Sequence, residues 1–199
     1  MDIRDRISSY LESIGFERRK YHFNRQAQGR LIHAVCLQKS QSTDRFTVEC
    51  AIYSIDFHEV AEGDSRKEFE GPLTVEVAEC DLRQRLGFLG PAKKDLWWPL
   101  REDCDKVAVE VIGLLEHYGI PFLDRFSNSS AIIKDYDETG QLPGMTKGRS
   151  ALVVATLLVR AGQIDRARAI LEATRKRQDE QGSPFPYLLQ FAKKLGISL

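Results

Sequence analysis

The spacing of apolar residues changes along the chain. From about Phe16 to Ser54, apolar and polar residues alternate with the period of a strand, whereas beyond about Arg101 apolar residues recur at helical spacing. A short amphipathic helix over residues 3–14 precedes the strands, and Gly15 follows where a left-handed residue commonly ends a helix. The pattern therefore predicts mainly strands in the first part of the chain and helices in the last.

Three consecutive strands are predicted, beginning after Phe16 and continuing at residues 31–37 and 46–53. The second is apolar on nearly both faces, as expected for a central strand. The turns between the strands are short and polar, so they predict an antiparallel meander. Residues 56–71 are acidic and predict a surface loop. A further strand is predicted at Leu73, Val75 and Val77 after Gly71-Pro72, and residues 82–87 fit a strand or a helical turn.

The later helices are predicted from their apolar faces. They lie at about residues 103–118, ending at Gly119 and Pro121, then near 127–136, at 151–160 and at 164–176. A final helix would begin with Ser183 as N-cap and Pro184 as first residue. The hairpin formed by 151–160 and 164–176 weakly resembles tetratricopeptide-type repeats, but a single hairpin favours a packed extension over a repeat array.

These elements predict an α+β fold, in which a twisted antiparallel sheet is packed with helices and is followed by a helical C-terminal extension. The chain has 199 residues, which is enough for a medium-sized domain with an appendage. We expect an α+β domain over residues 1–125 and a helical extension over residues 126–199.

The overall composition points to local recognition in a reducing compartment. Lys plus Arg and Asp plus Glu each total 29, so no global field attracts polyanions or a membrane surface. The four cysteines are widely spaced, without a Cys-x-x-Cys pair, and neither a secretory signal nor an apolar run of about 20 residues is present. We therefore expect a cytoplasmic protein without a membrane association.

No coherent catalytic or metal-binding constellation is found in the sequence. The histidines lack the spacing of a helical zinc site, and His33 and Cys36 would face opposite surfaces of one strand. The pairs Glu76/Glu79 and Asp135/Asp137 show no sign of sharing a cleft. Residues 140–150 are glycine-rich but lack the Gly-Lys-Ser/Thr ending of a phosphate loop. We expect no catalytic residues, metal ligands or cofactor, and Cys36 and Cys50 would be buried.

Trp97-Trp98 is the most unusual local feature. Tryptophan and arginine are the residue types that most often anchor protein interfaces, so Arg83 and Arg85 would complete a partner-binding surface around the two rings. Core packing is favoured for at least one of the two tryptophans. If one of the two is exposed beside Arg83 or Arg85, it becomes the best binding candidate.

A basic row on the first strand is a possible extension of that surface. Arg18, Lys20 and His22 would point to one face of the strand, opposite Tyr21 and Phe23. Such a row can attract phosphates or an acidic protein, but charged side chains on an edge strand also deter unwanted sheet pairing. No aromatic signature of RNA binding accompanies it.

Several short motifs, taken in order, resemble those of a family of small bacterial proteins classed as a domain of unknown function, the 4304-type family. The resemblance covers about residues 1–125 and is carried by Gly15-Phe16, Arg18-Arg19, Leu37-Gln38-Lys39-Ser40, Phe46-Thr47-Val48, Ile52-Tyr53, Cys80, Leu82-Arg83-Gln84-Arg85-Leu86-Gly87 and Trp97-Trp98. It implies a mixed helix and sheet domain without an established activity. The bacterial occurrence of the family would allow a toxin-neutralising or adaptor-like role.

The sequence therefore favours a non-enzymatic module of bacterial origin that binds another protein. Two alternatives stay open: an enzyme whose active site is not recognised, and an anion or nucleic-acid binder that uses the basic strand face. The absence of a net basic charge disfavours nucleic acid.

Overall fold

The computed structural model describes residues 3–63, 74–101, 103–182 and 185–199, and these form two compact units. The sheet unit consists of residues 3–53 and 74–127, and the helical unit consists of residues 54–63 and 128–199, each without the positions outside the described ranges. The fold class is α+β, as predicted. The division into domains at residues 125 and 126 stays a prediction.

The strands are β1 (Glu17–Arg19), β2 (His22–Gln26), β3 (Leu31–Lys39), β4 (Arg45–Ser54), β5 (Leu82–Arg85) and β6 (Trp98–Pro99). The α-helices are α1 (Ile3–Ser13), α2 (Ile55–His58), α3 (Leu86–Leu89), α4 (Cys104–Leu114), α5 (Ile120–Arg125), α6 (Ser129–Thr139), α7 (Lys147–Arg160), α8 (Ile164–Glu180) and α9 (Pro186–Lys194).

The sheet of the first unit has the strand order β1-β2-β3-β4-β5, with β6 also paired to β4. The pairings of β1 with β2, β2 with β3, and β4 with both β5 and β6 are antiparallel. Residues 31–37 of β3 are all buried, which confirms the prediction of a central strand from its apolar run. The sheet is therefore the predicted meander, extended at one edge by β5 and β6.

The first predicted strand is wrong, because residues 17–26 form a hairpin of two strands. Lys20 and Tyr21 make the turn, and Lys20 takes the left-handed φ of +57°. Arg18 pairs with Phe23, whereas His22 pairs with Arg19. Since directly opposed residues share a face of the sheet, Arg18 and His22 lie on opposite faces. The predicted basic row is thus divided by the turn.

Helices α1 and α4 contact each other within the sheet unit. Helix α1 buries Ile3, Ile7 and Leu11 at the predicted helical spacing, and Gly15 follows it with φ +88°. After α4, Gly119 comes close to the sheet: a Cβ there would lie 3.2 Å from Cys50 Sγ. Glycine at that position permits the helical segment to approach β4.

The helix after Trp98 does not end at Gly119 and Pro121 as predicted. A π-helical turn over Leu115–Gly119 connects α4 directly to α5, and the N–H of Ile120 donates to the Leu115 carbonyl five residues earlier. Pro121 then lies in the first turn of α5. Proline has no N–H to donate, so it is tolerated at the start of a helical segment but breaks a continuous hydrogen-bond ladder.

The strand predicted around Val75 and Val77 is also wrong in the described residues. Val77–Glu79 is a 3₁₀ turn, in which the Glu79 carboxylate accepts from the N–H of Glu76 at 3.0 Å. Val75 is buried, and its N–H donates to the Asn24 side chain at 3.1 Å. The predicted positions Gly71, Pro72 and Leu73 lie outside the described residues. Residues 82–87 combine both alternatives, since β5 is followed immediately by α3.

In the helical unit, α7 is the central element, because all residues from 150 to 158 are buried. It contacts α2, α6 and α8, and α8 also contacts α9. The predicted helical hairpin is formed by α7 and α8 around residues 161–163. The last helix begins at Pro186, and the predicted cap at Ser183 and Pro184 lies outside the described residues.

The surface loop predicted from Asp56 is wrong over residues 56–63, which form α2 and a π-helical turn at Glu59–Gly63. Acidic composition suggested a solvated loop, but two acidic side chains are paired: Arg160 lies 3.4 Å from Asp56 and 2.8 Å from Glu59. Phe57 is fully buried and stacks on Phe191 with ring centroids 5.5 Å apart. Ion pairing and one aromatic anchor thus hold this segment within the helical unit.

Candidate partner-binding site

Gly87 positions the segment that contains Trp97. A Cβ at Gly87 would lie 2.3 Å from the Lys94 carbonyl oxygen and 2.8 Å from the Leu96 nitrogen, so only glycine fits there. The N–H of Lys94 also donates to the Gly87 carbonyl at 3.3 Å. The chain leaving α3 therefore folds back closely on its first turn. This close approach returns residues 95–97 to the end of β5, where Arg85 lies.

Arg85, Asp95 and Trp97 form one connected cluster, which we call the Arg85 platform. The Arg85 guanidinium pairs with the Asp95 carboxylate and lies 5.3 Å from the centre of the Trp97 ring. The Trp97 indole N–H donates to the same carboxylate at 3.0 Å. Trp97 is half-buried, and the Arg85 side chain is 31% exposed. The platform thus presents a planar cation and an aromatic ring in a fixed arrangement at the surface.

Arg83 lies on the same face of the sheet as Arg85, because the two are two positions apart in β5 and every second residue of a strand points to the same face. Its side chain is exposed and forms no ion pair within the described part of the chain. The structure therefore brings a second guanidinium to the face that carries Arg85, and this one keeps its charge available.

Trp98 differs from its neighbour, because it belongs to the core. It is 5% exposed, pairs with Phe46 across β4 and β6, and its ring lies 5.8 Å from the Phe46 ring. Its indole N–H donates to Glu110 at 3.0 Å. Core packing, which the sequence favoured for at least one tryptophan, applies to Trp98. Trp97 is the tryptophan that lies beside an arginine at the surface.

The predicted basic row does not act as one patch. Arg18 and Lys20 line a pocket beside the first turn of α1, whereas His22 is half-buried on the opposite face from Arg18 and pairs with Cys36 of β3. The described contacts do not connect these residues with the Arg85 platform. Their proposed role as an extension of the partner surface stays a prediction.

Three cysteine thiols of the sheet unit are held in their neutral form. Burial raises the pKa of Cys36 and of Cys50 to about 12, and the carboxylate of Glu49 adds to both shifts. Burial also raises the pKa of Cys80. Because the thiolate is the nucleophile and metal ligand, none of these three side chains is activated for catalysis.

His33 is engaged in a structural network. Its Nδ1 lies 3.2 Å from Arg25 Nη2, which can only donate, so Nδ1 accepts and the proton resides on Nε2. Nε2 then donates to the Phe126 carbonyl at 3.3 Å. Arg25 is itself paired with Asp124 at 2.7 Å. Desolvation by burial lowers the pKa of His33 and keeps the ring neutral. Both ring nitrogens are thereby used to attach β3 to the end of α5.

The remaining candidate chemistry has local structural partners. Asp137 pairs with Arg166 at 2.9 Å. In the glycine-rich segment, Thr146 caps α7, and Ser150 Oγ accepts from the N–H of Leu142 at 3.0 Å. Among the residues that the structure describes, no group of three or more His, Cys, Asp or Glu could hold a metal ion, and no helix is long and apolar enough to cross a membrane.

Sequence reasoning missed Asp95 and Gly87. Asp95 stands two residues before Trp97, a spacing at which an Asp side chain reaches local donors, and this was the only available signal. Its second contact, with Arg85, depends on the close approach at Gly87, which a sequence pattern does not reveal.

The similarity of this chain to known proteins lies mainly in the sheet unit. No curated protein and no solved structure matches the chain. A sequence model of one family matches residues 7–125, which is more than half of the chain and includes β1 to β6, α3 and the Arg85 platform. The match ends before α6, so most of the helical unit lies outside it. The chain belongs to the family described as Domain of unknown function (DUF4304).

Proposed function

We propose that this chain is a non-enzymatic protein-binding module whose partner contacts the Arg85 platform and Arg83. The observation that supports this most is the packing of Arg85 over half-buried Trp97, with both side chains tied to Asp95. Binding normally costs the entropy of ordering side chains at the interface. A platform that is already ordered in the free protein avoids part of that cost.

The chemistry of the platform indicates the kind of surface it would bind. Asp95 neutralises Arg85, so the platform offers mainly the planes of the indole and guanidinium groups, which pack against apolar or aromatic side chains. Arg83 keeps an uncompensated charge and would pair with a carboxylate. The proposed partner therefore presents an apolar side chain next to an acidic one.

The enzyme alternative is less well supported by the chemistry of the described residues. Burial holds the thiols of Cys36 and Cys50 neutral, and hydrogen bonds engage both nitrogens of His33. These side chains are buried in the interior of the sheet unit. An untargeted metabolite screen tests the alternative: turnover that survives purification and disappears on substitution of a cleft residue would reverse the ranking.

The setting of the proposed interaction rests on the family. A bacterial, cytoplasmic protein that neutralises a toxin or acts as an adaptor is consistent with the resemblance and with the lack of disulfide bonds among four free cysteines. The partner's identity would decide between the two roles.

Affinity capture from the native cell, followed by binding measurements with the purified partner, tests the proposal. We expect Trp97→Ala and Arg83→Ala to raise the Kd about tenfold or more, because truncation of an interface anchor costs over about 1.4 kcal/mol. Arg168→Ala is the matched control, since Arg168 forms an exposed pair with Asp165 in the helical unit. If the platform variants bind as the control does, the site assignment is wrong.

A further inference from the structure

A pocket of about 440 Å³ lies between the first turn of α1 and the β1–β2 turn. Among the residues that the structure describes, Arg4, Asp5, Arg18, Lys20 and Tyr21 line it. Three of these carry a positive charge and one a negative charge, so the described lining is cationic although the whole chain has no net charge. All five belong to the sheet unit, and none belongs to the Arg85 platform.

The cationic groups are oriented by contacts within the pocket. Arg18 Nε donates to the Lys20 carbonyl at 3.2 Å, and Arg18 Nη1 lies 3.9 Å from Asp5, which is too long for a hydrogen bond. The terminal nitrogens of Arg18 therefore retain donors for a ligand. Lys20 forms no ion pair among the described residues. Its left-handed φ of +57° is unusual for a lysine, a position that glycine or asparagine would fill more easily.

Tyr21 supplies an aromatic surface at the same pocket. Its side chain is 47% exposed, and its hydroxyl accepts from Arg4 at 3.4 Å. The Arg4 guanidinium lies over the ring, 5.7 Å from its centre, and this contact helps to fix the position of the tyrosine. An exposed ring next to cationic groups is the arrangement with which proteins stack a base and hold its phosphate.

We propose that this pocket binds a mononucleotide, with the phosphate on Arg18 and Lys20 and the base stacked on Tyr21. The volume exceeds that of a bare phosphate and falls in the range of small-molecule sites. The Asp5 carboxylate accepts hydrogen bonds from ribose hydroxyls, which accounts for an acidic residue in a cationic pocket. A single phosphate requires only local charge, consistent with the zero net charge of the chain, whereas a long polyanion would favour a basic surface.

Amide chemical-shift titrations of the full chain test this proposal with adenosine 5′-monophosphate, inorganic phosphate and adenosine. The nucleotide should shift the signals of residues 18–21 with a lower Kd than phosphate or adenosine alone. Added salt should weaken nucleotide binding because the phosphate contacts are exposed. Equal affinity for phosphate and the nucleotide, or no shift at residues 18–21, would overturn the proposal.

Matched variants connect the binding to the two cationic residues. Arg18→Gln and Lys20→Asn should each raise the Kd for the nucleotide about tenfold, as expected for loss of a hydrogen bond from a charged group. Asparagine tolerates the left-handed turn, so Lys20→Asn preserves the hairpin. Lys93→Asn is the control, because Lys93 has φ +49° and lies outside the pocket. If Lys20→Asn and Lys93→Asn leave the Kd equally unchanged, the assignment fails.

A final titration distinguishes a free nucleotide from the end of a nucleic acid. A single-stranded oligonucleotide of six residues should bind no more tightly than the mononucleotide. Tighter binding that grows with strand length would show that the ligand is a nucleic acid and would overturn the proposal.

Discussion

Each unit of the molecule contains an arginine stacked on an aromatic ring, but the two rings differ in burial. In the helical unit, Arg149 lies 4.6 Å from the centre of the Phe57 ring, which is fully buried. In the sheet unit, Arg85 lies 5.3 Å from the half-buried Trp97 ring. The same type of contact covers a core ring at Phe57 and forms a surface at Trp97. The role of a cation–aromatic pair therefore depends on what surrounds the ring.

This comparison predicts that the aromatic partner in the helical unit is needed for folding. Phe57→Ala should lower the free energy of unfolding by about 3–5 kcal/mol, because it leaves a cavity beside Phe191. Chemical denaturation followed by far-UV circular dichroism measures the effect. A change under about 1 kcal/mol would show that the contacts of Phe57 contribute little to the core. Trp97→Ala provides the comparison from the sheet unit.

The second prediction concerns the ion pairs of Arg160. Asp56 and Glu59 have side chains only 10% and 11% exposed, so removal of the arginine leaves two largely buried carboxylates without this partner. Arg160→Ala should therefore destabilise the protein by about 1–3 kcal/mol, less than a fully buried pair because Arg160 is half-exposed.

Arg168→Ala is the control for this measurement. Its partner Asp165 is 97% exposed, and such surface pairs contribute little, so a loss below about 0.5 kcal/mol is expected. Equal losses in the two variants would contradict the prediction that burial of the carboxylates determines the effect.

The buried histidine of the sheet unit predicts a dependence of stability on pH. Burial lowers the pKa of His33 in the folded state, so the unfolded chain takes up a proton first as the pH falls. The contribution of His33 is complete above its unfolded pKa of about 6.5 and is lost progressively below that value, until the folded pKa is passed. His33→Gln should reduce this acid sensitivity. Urea unfolding at pH 5 and pH 7.5 measures it, and an unchanged difference between the two pH values would disprove this role.

The elements predicted correctly from the sequence are those in which one local pattern decides the structure. The buried run of β3 and the spacing of Ile3, Ile7 and Leu11 in α1 are examples. In these segments the spacing of the apolar residues matches the positions that are buried in the structure. No long-range contact therefore has to override the local preference.

The missed elements depend on contacts that are distant in sequence or on unusual backbone. Lys20 forms a turn without a glycine, and the π-helical turn before Pro121 continues a helix through residues that normally end one. Residues 55–63 are helical although their composition suggested a loop, since Arg160, about a hundred positions later, pairs with their carboxylates. None of these causes appears in a local pattern.

Part of the candidate site could also be predicted from the sequence. Residue type indicated Arg85 and the tryptophan pair, since these side chains commonly anchor interfaces. Which tryptophan is buried follows from the pairing of Trp98 with Phe46, and the contact between Arg85 and Asp95 follows from the close approach at Gly87. Tertiary geometry therefore selects Trp97 from candidates that the sequence treats alike.

The smallest expected effect on stability completes the comparison between the two rings. Trp97→Ala should change the free energy of unfolding by only about 1 kcal/mol or less, because the ring is half-buried at the surface. The same variant should lose most of its affinity for the protein partner. Trp97→Phe keeps an aromatic plane but cannot donate to Asp95, so it should recover part of the affinity. If Trp97→Ala destabilises the protein as strongly as Phe57→Ala, the Arg85 platform is part of the core and the distinction between the two rings is wrong.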